Sequence, residues 1–148
     1  MTILNKILSE RSRIEHATNT GTKTHRLLQR VVITDDACIG DADLVKKIKS
    51  VPELCKFFAP NSKTEVPVAG TLSGRFISRR IDRLIIDTEK QTILILDYKT
   101  DVDKQCFYNK YLGQMREYVA LMRVLYPTYI IQSYILWTHD FSLEKLPI

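Results

Sequence analysis

Hydrophobic and polar positions alternate over two neighbouring segments in the middle of the chain, and this pattern predicts a β-hairpin. The first strand is predicted over Arg80–Asp87 and the second over Thr92–Lys99, because both segments are rich in isoleucine and leucine. The polar residues Thr88–Gln91 supply the turn between them. A tighter turn at Glu89–Lys90 keeps the same register, so the predicted pairing does not depend on the turn type.

Each predicted strand carries an acid where an apolar residue is expected. The hairpin register places Asp82 directly opposite Asp97, with Cβ atoms about 4.5–5.5 Å apart on one face. Lys99 lies two residues beyond Asp97 and therefore shares that face. Opposed like charges destabilise a hairpin unless a positive charge lies between them. The pattern thus predicts either a site for a hard divalent cation or an ion pair between a carboxylate and the lysine.

The rest of the pattern predicts a sheet that is covered by helices. Predicted helices span residues 2–15, the Asn19–Thr22 turn cluster to about Val32, a segment from about Ala42, and Gln105–Leu125; further strands span Lys63–Ala69 and Tyr129–Thr138. This order of helices, strand, hairpin, helix and strand indicates the α/β or α+β class.

Composition limits the class of protein. The 148 residues indicate one domain, 1–148, and no run of about 18 apolar residues predicts a membrane span. The N-terminal segment lacks the apolar core of a signal peptide, which predicts a cytoplasmic protein. The three cysteines, Cys38, Cys55 and Cys106, are too widely spaced for a disulfide framework or a metal cluster, so we expect buried free thiols.

The net charge of +5 and the isoelectric point near 9.1 favour a polyanionic partner. Four arginines fall within nine residues around Asp82 and predict either a solvated basic face or a phosphate-contact surface: Arg75, Arg79, Arg80 and Arg83.

His25 lies on or beside the buried stripe of its predicted helix. Gln114 and Tyr118, four residues apart, share one face of the long helix. None of these last three residues is diagnostic by itself.

Taken in chain order, these motifs resemble the PD-(D/E)XK nuclease superfamily, and within it the RecB/AddA-type nuclease domain of exonuclease V-like helicase–nucleases. The order is a Gly-x-x-x-His helix start, an Asp on one hairpin strand, Asp-x-Lys on the next strand and Gln-x-x-x-Tyr on the following helix. The matching segments are Gly21–His25, Ile81–Leu84, Ile95–Thr100 and Gln114–Tyr118, and the resemblance covers about residues 20–138.

The resemblance implies a restriction-endonuclease-like core, in which helices flank a mixed central β-sheet. It also implies a Mg²⁺-dependent DNA nuclease for repair or recombination, an exonuclease rather than an endonuclease, with Mn²⁺ as a substitute metal. The implied roles are metal ligation by Asp82, Asp97 and the Tyr98 carbonyl, with His25 as an additional ligand; positioning of the attacking water or charge stabilisation by Lys99; DNA contact or support by Gln114 and Tyr118; and an auxiliary acid at Glu65.

The chain also departs from the family pattern. Ile81 replaces the proline that gives the superfamily its name, and the cysteine set of an iron–sulfur cluster is missing, so we predict no cluster. No Walker A loop is present, which leaves three alternatives: the chain works alone, a separate helicase or recombination subunit supplies the motor, or the chain is the remnant of a split gene. Two alternatives stay open: a catalytically silent DNA-binding or scaffold subunit, and a structure-specific or RNA endonuclease that uses the same site.

Overall fold

A five-stranded mixed β-sheet forms the centre of the fold, which is described by a computed structural model for residues 3–5 and 21–148. Residues 3–5 are helical. The described helices are α1 (residues 21–29), α2 (Ala42–Lys49), a 3₁₀-helix (Pro52–Phe58) and α3 (Lys104–Leu125); the strands are β1 (Val32–Ile33), β2 (Cys38–Ile39), β3 (Lys63–Leu72), β4 (Arg75–Asp87), β5 (Thr92–Lys99), β6 (Ile130–Trp137) and β7 (Ser142–Lys145).

The central sheet has the strand order β3-β4-β5-β6-β7, and β1 pairs with β2 in a separate ribbon. The pairs β3/β4, β4/β5 and β6/β7 are antiparallel, whereas β5 and β6 are parallel. Parallel neighbours need a crossover connection, and α3 supplies it. The structure confirms an α/β protein with a mixed central sheet and flanking helices.

Side chains on the two faces of β5 belong to different hydrophobic clusters. Ile93 and Ile95 belong to the cluster that contains Met115 of α3. Leu96 and Tyr98 belong to the cluster that contains α1 and the 3₁₀-helix. Because successive strand residues point to opposite faces, the odd-numbered positions that follow Ile95 continue the α3 face. The odd-numbered side chains at the end of β5 therefore lie on the face of the sheet that α3 covers.

The predicted hairpin and long helix are confirmed. β5 has the predicted bounds, β4 begins five residues earlier than predicted, and α3 begins one residue earlier. Asp103 caps α3, since its carboxylate accepts the N–H of Cys106 at 3.0 Å. Within residues 3–5 and 21–148, no helix is long and apolar enough to cross a membrane.

Other predicted elements differ from the structure. The helix predicted to reach Val32 ends at residue 29, and its predicted start lies partly outside the described residues. Of the helix predicted over residues 2–15, only residues 3–5 are described. The expectation of buried thiols is wrong: Cys38 and Cys106 are exposed, and Cys55 is half-buried. β7 follows β6 through a short turn that the sequence pattern did not predict.

Candidate functional site

Asp82 and Asp97 lie opposite each other on β4 and β5, as the hairpin pattern predicts. The register pairs Arg83 with Leu96, and the next positions along it are the two acids. Regular pairing stops there although both strands continue. Instead, the backbone N–H of Tyr98 donates to Oδ2 of Asp82 at 2.8 Å. The Asp82 carboxylate therefore takes the place of a backbone acceptor where the two strands separate.

Glu65 extends this row of acids onto a third strand. The register of β3 and β4 pairs Thr64 with Arg83 and Val66 with Ile81, which leaves Glu65 at the level of Asp82. Its φ of 51° is in the left-handed region, which is unusual for a residue with a side chain. Strained backbone of this kind persists where the surrounding structure fixes it, and it is concentrated at functional sites.

Of the two facing carboxylates, Asp97 is buried and Asp82 is half-buried. Asp97 is 3 % exposed. Burial raises the pKa of Asp82 to about 8; the nearby charge of Asp97 adds to this rise, while the hydrogen bond from the Tyr98 N–H opposes it. Below that pH, the metal-free site thus holds a proton on Asp82. A cation bound between the two acids would displace this proton.

Lys99 approaches the same pair from the end of β5. Its Nζ lies 2.7 Å from Oδ2 of Asp97 and donates a hydrogen bond to Oε1 of Gln114 at 2.8 Å. The ammonium also lies 4.2 Å from the centre of the Tyr111 ring. Oδ2 of Asp97 is buried, and the ammonium lies within the distance of a charge-assisted hydrogen bond to it. Lys99 therefore pairs directly with the Asp97 carboxylate.

Gln114 and Tyr118 share one face of α3, as their spacing predicts, and a chain of hydrogen bonds connects them to Lys99. Gln114 accepts from the ammonium through Oε1 and donates from Nε2 to the Tyr118 hydroxyl at 2.8 Å. The hydroxyl in turn donates to the backbone carbonyl of Arg80 at 3.3 Å. Because Tyr118 is almost completely buried, it supports the site from within.

His25 reaches the site from α1. Its ring centre lies 5.4 Å from that of Tyr98 in an edge-to-face arrangement. Burial lowers the pKa of His25; Asp97, Glu65 and the Tyr98 backbone oppose this, and Lys99 reinforces it. The neutral imidazole, the form that binds metals, is thereby favoured.

The donor set of the site fits Mg²⁺. This ion takes oxygen ligands and needs only one or two carboxylates, since it keeps several waters. Asp97 offers a buried carboxylate oxygen beside Lys99, and Asp82 faces it. The N–H and C=O groups of one strand residue point the same way, so the Tyr98 carbonyl also faces the gap between β4 and β5. Among the described residues, no group of three or more His, Cys, Asp or Glu side chains is placed to hold a metal by itself.

The structure corrects the prediction for Arg83, which is 1 % exposed and cannot contact DNA. Its guanidinium donates to the carbonyls of Leu28 at 2.7 Å and Val31 at 2.8 Å, and to the Tyr98 hydroxyl at 3.0 Å. It also lies over the Phe58 ring at 4.4 Å. Carbonyls at the end of a helix lack intrahelical partners. Arg83 donates to one carbonyl in the last turn of α1 and to one just beyond it, and so attaches α1, which carries His25, to the sheet.

The other three predicted arginines reach the surface. The side chains of Arg75 and Arg80 are 72 % and 68 % exposed. Arg79 donates through Nε to Glu117 at 3.0 Å, and Arg80 lies 3.7 Å from Glu65. These side chains form a basic border along β4 next to the acidic site. Long charged side chains in such a position suit contacts to a polyanion.

Sequence reasoning missed Tyr111 and Asp101. The ammonium of Lys99 lies over the Tyr111 ring, and the Tyr111 hydroxyl donates to the carboxylate of Asp101. Tyr111 precedes Gln114 by three residues and so lies on a neighbouring face of α3, which is the signal that could have revealed it. Asp101 follows β5 directly.

Comparison of the sequence with models of protein families and with curated proteins finds no match to either.

Proposed function

We propose that this chain is a Mg²⁺-dependent DNA nuclease with a restriction-endonuclease-like core of the PD-(D/E)XK type, and that it acts as an exonuclease in DNA repair or recombination. The observation that supports this best is the pair of facing carboxylates of Asp82, half-buried, and Asp97, buried, with Lys99 beside them on the same face.

The residues that would hold Mg²⁺ are Asp82 and Asp97, together with the Tyr98 carbonyl; His25 would be an additional ligand. The chemistry supplied when Mg²⁺ is bound is that of a Lewis acid, which favours deprotonation of water and offsets charge on the scissile phosphate. Glu65, at the level of Asp82 on β3, would act as an auxiliary acid. Mn²⁺ also takes oxygen ligands and would substitute.

Lys99 would bind the reacting groups directly. An ammonium has three N–H donors; Gln114 accepts one of them, and a second faces the Asp97 carboxylate at 2.7 Å. The third donor suits the attacking water or a non-bridging phosphate oxygen, where a fixed positive charge stabilises the transition state. Gln114 and Tyr118 would position this charge, because their hydrogen bonds connect it to the backbone of β4.

The proposal is tested with purified protein, Mg²⁺ or Mn²⁺, and end-labelled linear, circular and single-stranded DNA, alongside RNA. Degradation of linear DNA that is lost in Asp97→Ala and Lys99→Ala supports the nuclease. Asp36→Ala is the matched control, since Asp36 is exposed in the turn between β1 and β2, away from the central sheet. This control should cleave at the wild-type rate.

Other results would favour the alternatives. Binding of DNA without cleavage in either metal would contradict the nuclease and favour a silent DNA-binding or scaffold subunit. Cleavage of closed circles, or of RNA in preference to DNA, would favour a structure-specific or RNA endonuclease that uses the same residues.

A further inference from the structure

Among the described residues, three groups contact the ammonium of Lys99, and the proposed function uses two of them, Asp97 and Gln114. The third is the ring of Tyr111, whose centre lies 4.2 Å from Nζ. The Lys99 side chain is 14 % exposed, so water weakens the attraction between the cation and the ring only a little. This attraction acts on the charge as a whole and takes up no particular N–H donor. Tyr111 therefore holds the ammonium without occupying the donor that remains for the reacting groups.

The Tyr111 ring is itself held in place by other aromatic side chains. It stacks on Phe107, one turn earlier in α3, with a centroid distance of 5.9 Å and an interplanar angle of 21°. The ring of Trp137, buried on β6, lies 6.1 Å away, and its Nε1 donates to Glu144 at 2.8 Å. Aromatic rings at these separations attract each other. The Tyr111 ring is thus part of the packing between α3 and the end of β6.

Asp101 fixes the other end of the Tyr111 side chain. This residue lies in the loop between β5 and α3, and its carboxylate accepts a hydrogen bond from the Tyr111 hydroxyl. A phenol that donates to a carboxylate is polarised by it, so more negative charge lies on the ring. The ring then attracts a cation more strongly. Asp101 therefore acts on Lys99 through Tyr111, because it fixes the ring and increases the negative charge on its face.

We infer that Tyr111 and Asp101 form a positioning unit that holds the ammonium of Lys99 in the candidate site. The inference rests on the proposed function for the reaction that Lys99 serves. A lysine side chain has many rotamers, and its charge stabilises a transition state only when it is fixed where negative charge develops. Tyr111 and Gln114 lie three residues apart on α3, so one rigid helix carries both contacts to the ammonium.

The kinetic test compares the rate of Mg²⁺-dependent DNA hydrolysis in the wild type and in variants of the positioning unit. Tyr111→Leu removes the ring and should lower kcat about tenfold with little change in KM. Tyr111→Phe keeps the ring but loses the hydroxyl, and it should lower kcat about threefold. Asp101→Ala should cause the same loss. The double variant should lose no more than either single variant, because both substitutions remove one hydrogen bond.

The matched control is Tyr108→Leu. Tyr108 is another partly buried tyrosine of α3 that packs on the same hydrophobic cluster as Tyr111. It borders the cleft of Lys104 and Glu144, and it is not among the described partners of Lys99. This control carries the same loss of an aromatic side chain from the helix and should cleave at the wild-type rate.

A second measurement does not depend on activity. Protons over the face of an aromatic ring resonate upfield of their usual positions in an NMR spectrum, so the ε-methylene signal of Lys99 reports its contact with Tyr111. In metal-free protein this signal should lie upfield in the wild type, in Tyr111→Phe and in Tyr108→Leu. It should return to the usual lysine position in Tyr111→Leu. The spectrum of Lys99→Arg, which lacks the signal, assigns it.

The two measurements distinguish this inference from the nuclease proposal. An upfield Lys99 signal that is lost in Tyr111→Leu, without cleavage by the wild type in Mg²⁺ or Mn²⁺, would refute the nuclease and keep the positioning unit. Cleavage by Tyr111→Leu at the wild-type kcat, or equal losses in Tyr111→Leu and Tyr108→Leu, would overturn the inference and leave the nuclease standing. A wild-type Lys99 signal at the usual lysine position, or additive losses in the double variant, would also overturn it.

Discussion

Replacing Asp82 with asparagine is predicted to stabilise the metal-free protein while abolishing its activity. Burial and the charge of Asp97 raise the pKa of Asp82 from its usual 3.8 to about 8. Between these two pH values the folded protein holds a proton that the unfolded chain has released. Asparagine has nearly the shape of a protonated aspartate and keeps an oxygen for the N–H of Tyr98. The substitution therefore removes a carboxylate charge that is unfavourable at this half-buried position.

The effect of Asp82 on the free energy of unfolding depends on pH, because proton binding is linked to folding. Because the folded pKa is raised, the contribution of Asp82 to stability is complete below about pH 4 and is lost as the pH rises to about 8. At about 1.4 kcal/mol per pKa unit, the upper limit of this loss is about 6 kcal/mol. Relaxation of the protein around the charge reduces this loss of stability. Replacements of buried ion pairs in other proteins change stability by about 1–4 kcal/mol. Asp82→Asn should recover this free energy above about pH 8.

The assay is urea unfolding in chelator between about pH 5 and pH 9, for the wild type, Asp82→Asn and the exposed control Asp36→Asn. Subtracting the wild-type free energy of unfolding cancels the other titrating groups. The Asp82→Asn difference should grow with pH and level off above about 8, while the Asp36→Asn difference stays near zero. A difference independent of pH, or a variant less stable than the wild type at pH 9, would contradict a raised pKa at Asp82.

Three further predictions concern other parts of the site. Arg83→Met should lower the free energy of unfolding in urea by about 3 kcal/mol, because the carbonyls at the end of α1 lose their donor; unchanged stability would contradict this role. Gln114→Ala should lower kcat roughly 10- to 100-fold with little change in KM, since Lys99 loses its anchor; a change confined to KM would indicate a DNA contact instead. Arg80→Ala should weaken DNA binding and reduce its salt dependence by about one phosphate contact, with stability within about 0.5 kcal/mol of the wild type; an unchanged salt slope would remove Arg80 from the interface.

The hairpin could be predicted because its information is local. Alternating positions define the two strands, and the turn fixes the register whatever its type, so Asp82 faces Asp97. The shared face of Gln114 and Tyr118 follows from helix geometry in the same way. Their hydrogen bond to Lys99 does not, since it depends on how α3 packs over β5.

The environment of Arg83 could not be predicted from its neighbours in the sequence. Grouped by charge with its neighbours, it predicted a basic surface, but its partners are carbonyls of Leu28 and Val31, more than fifty residues earlier in the chain. Its position two residues before Ile85 on β4 did place it on a buried face. Charge was the weaker signal there because a buried arginine is tolerated when acceptors surround it.

We propose that Asp97 belongs to a metal-dependent site that cleaves DNA. The most direct measurement is the rate at which linear DNA is hydrolysed in Mg²⁺ by the wild type and by Asp97→Asn, with both proteins shown to be folded at the assay temperature. We predict cleavage that requires the metal and falls by at least about 10³-fold in the variant. Equal rates in the two proteins, or cleavage that persists in chelator, would contradict the account.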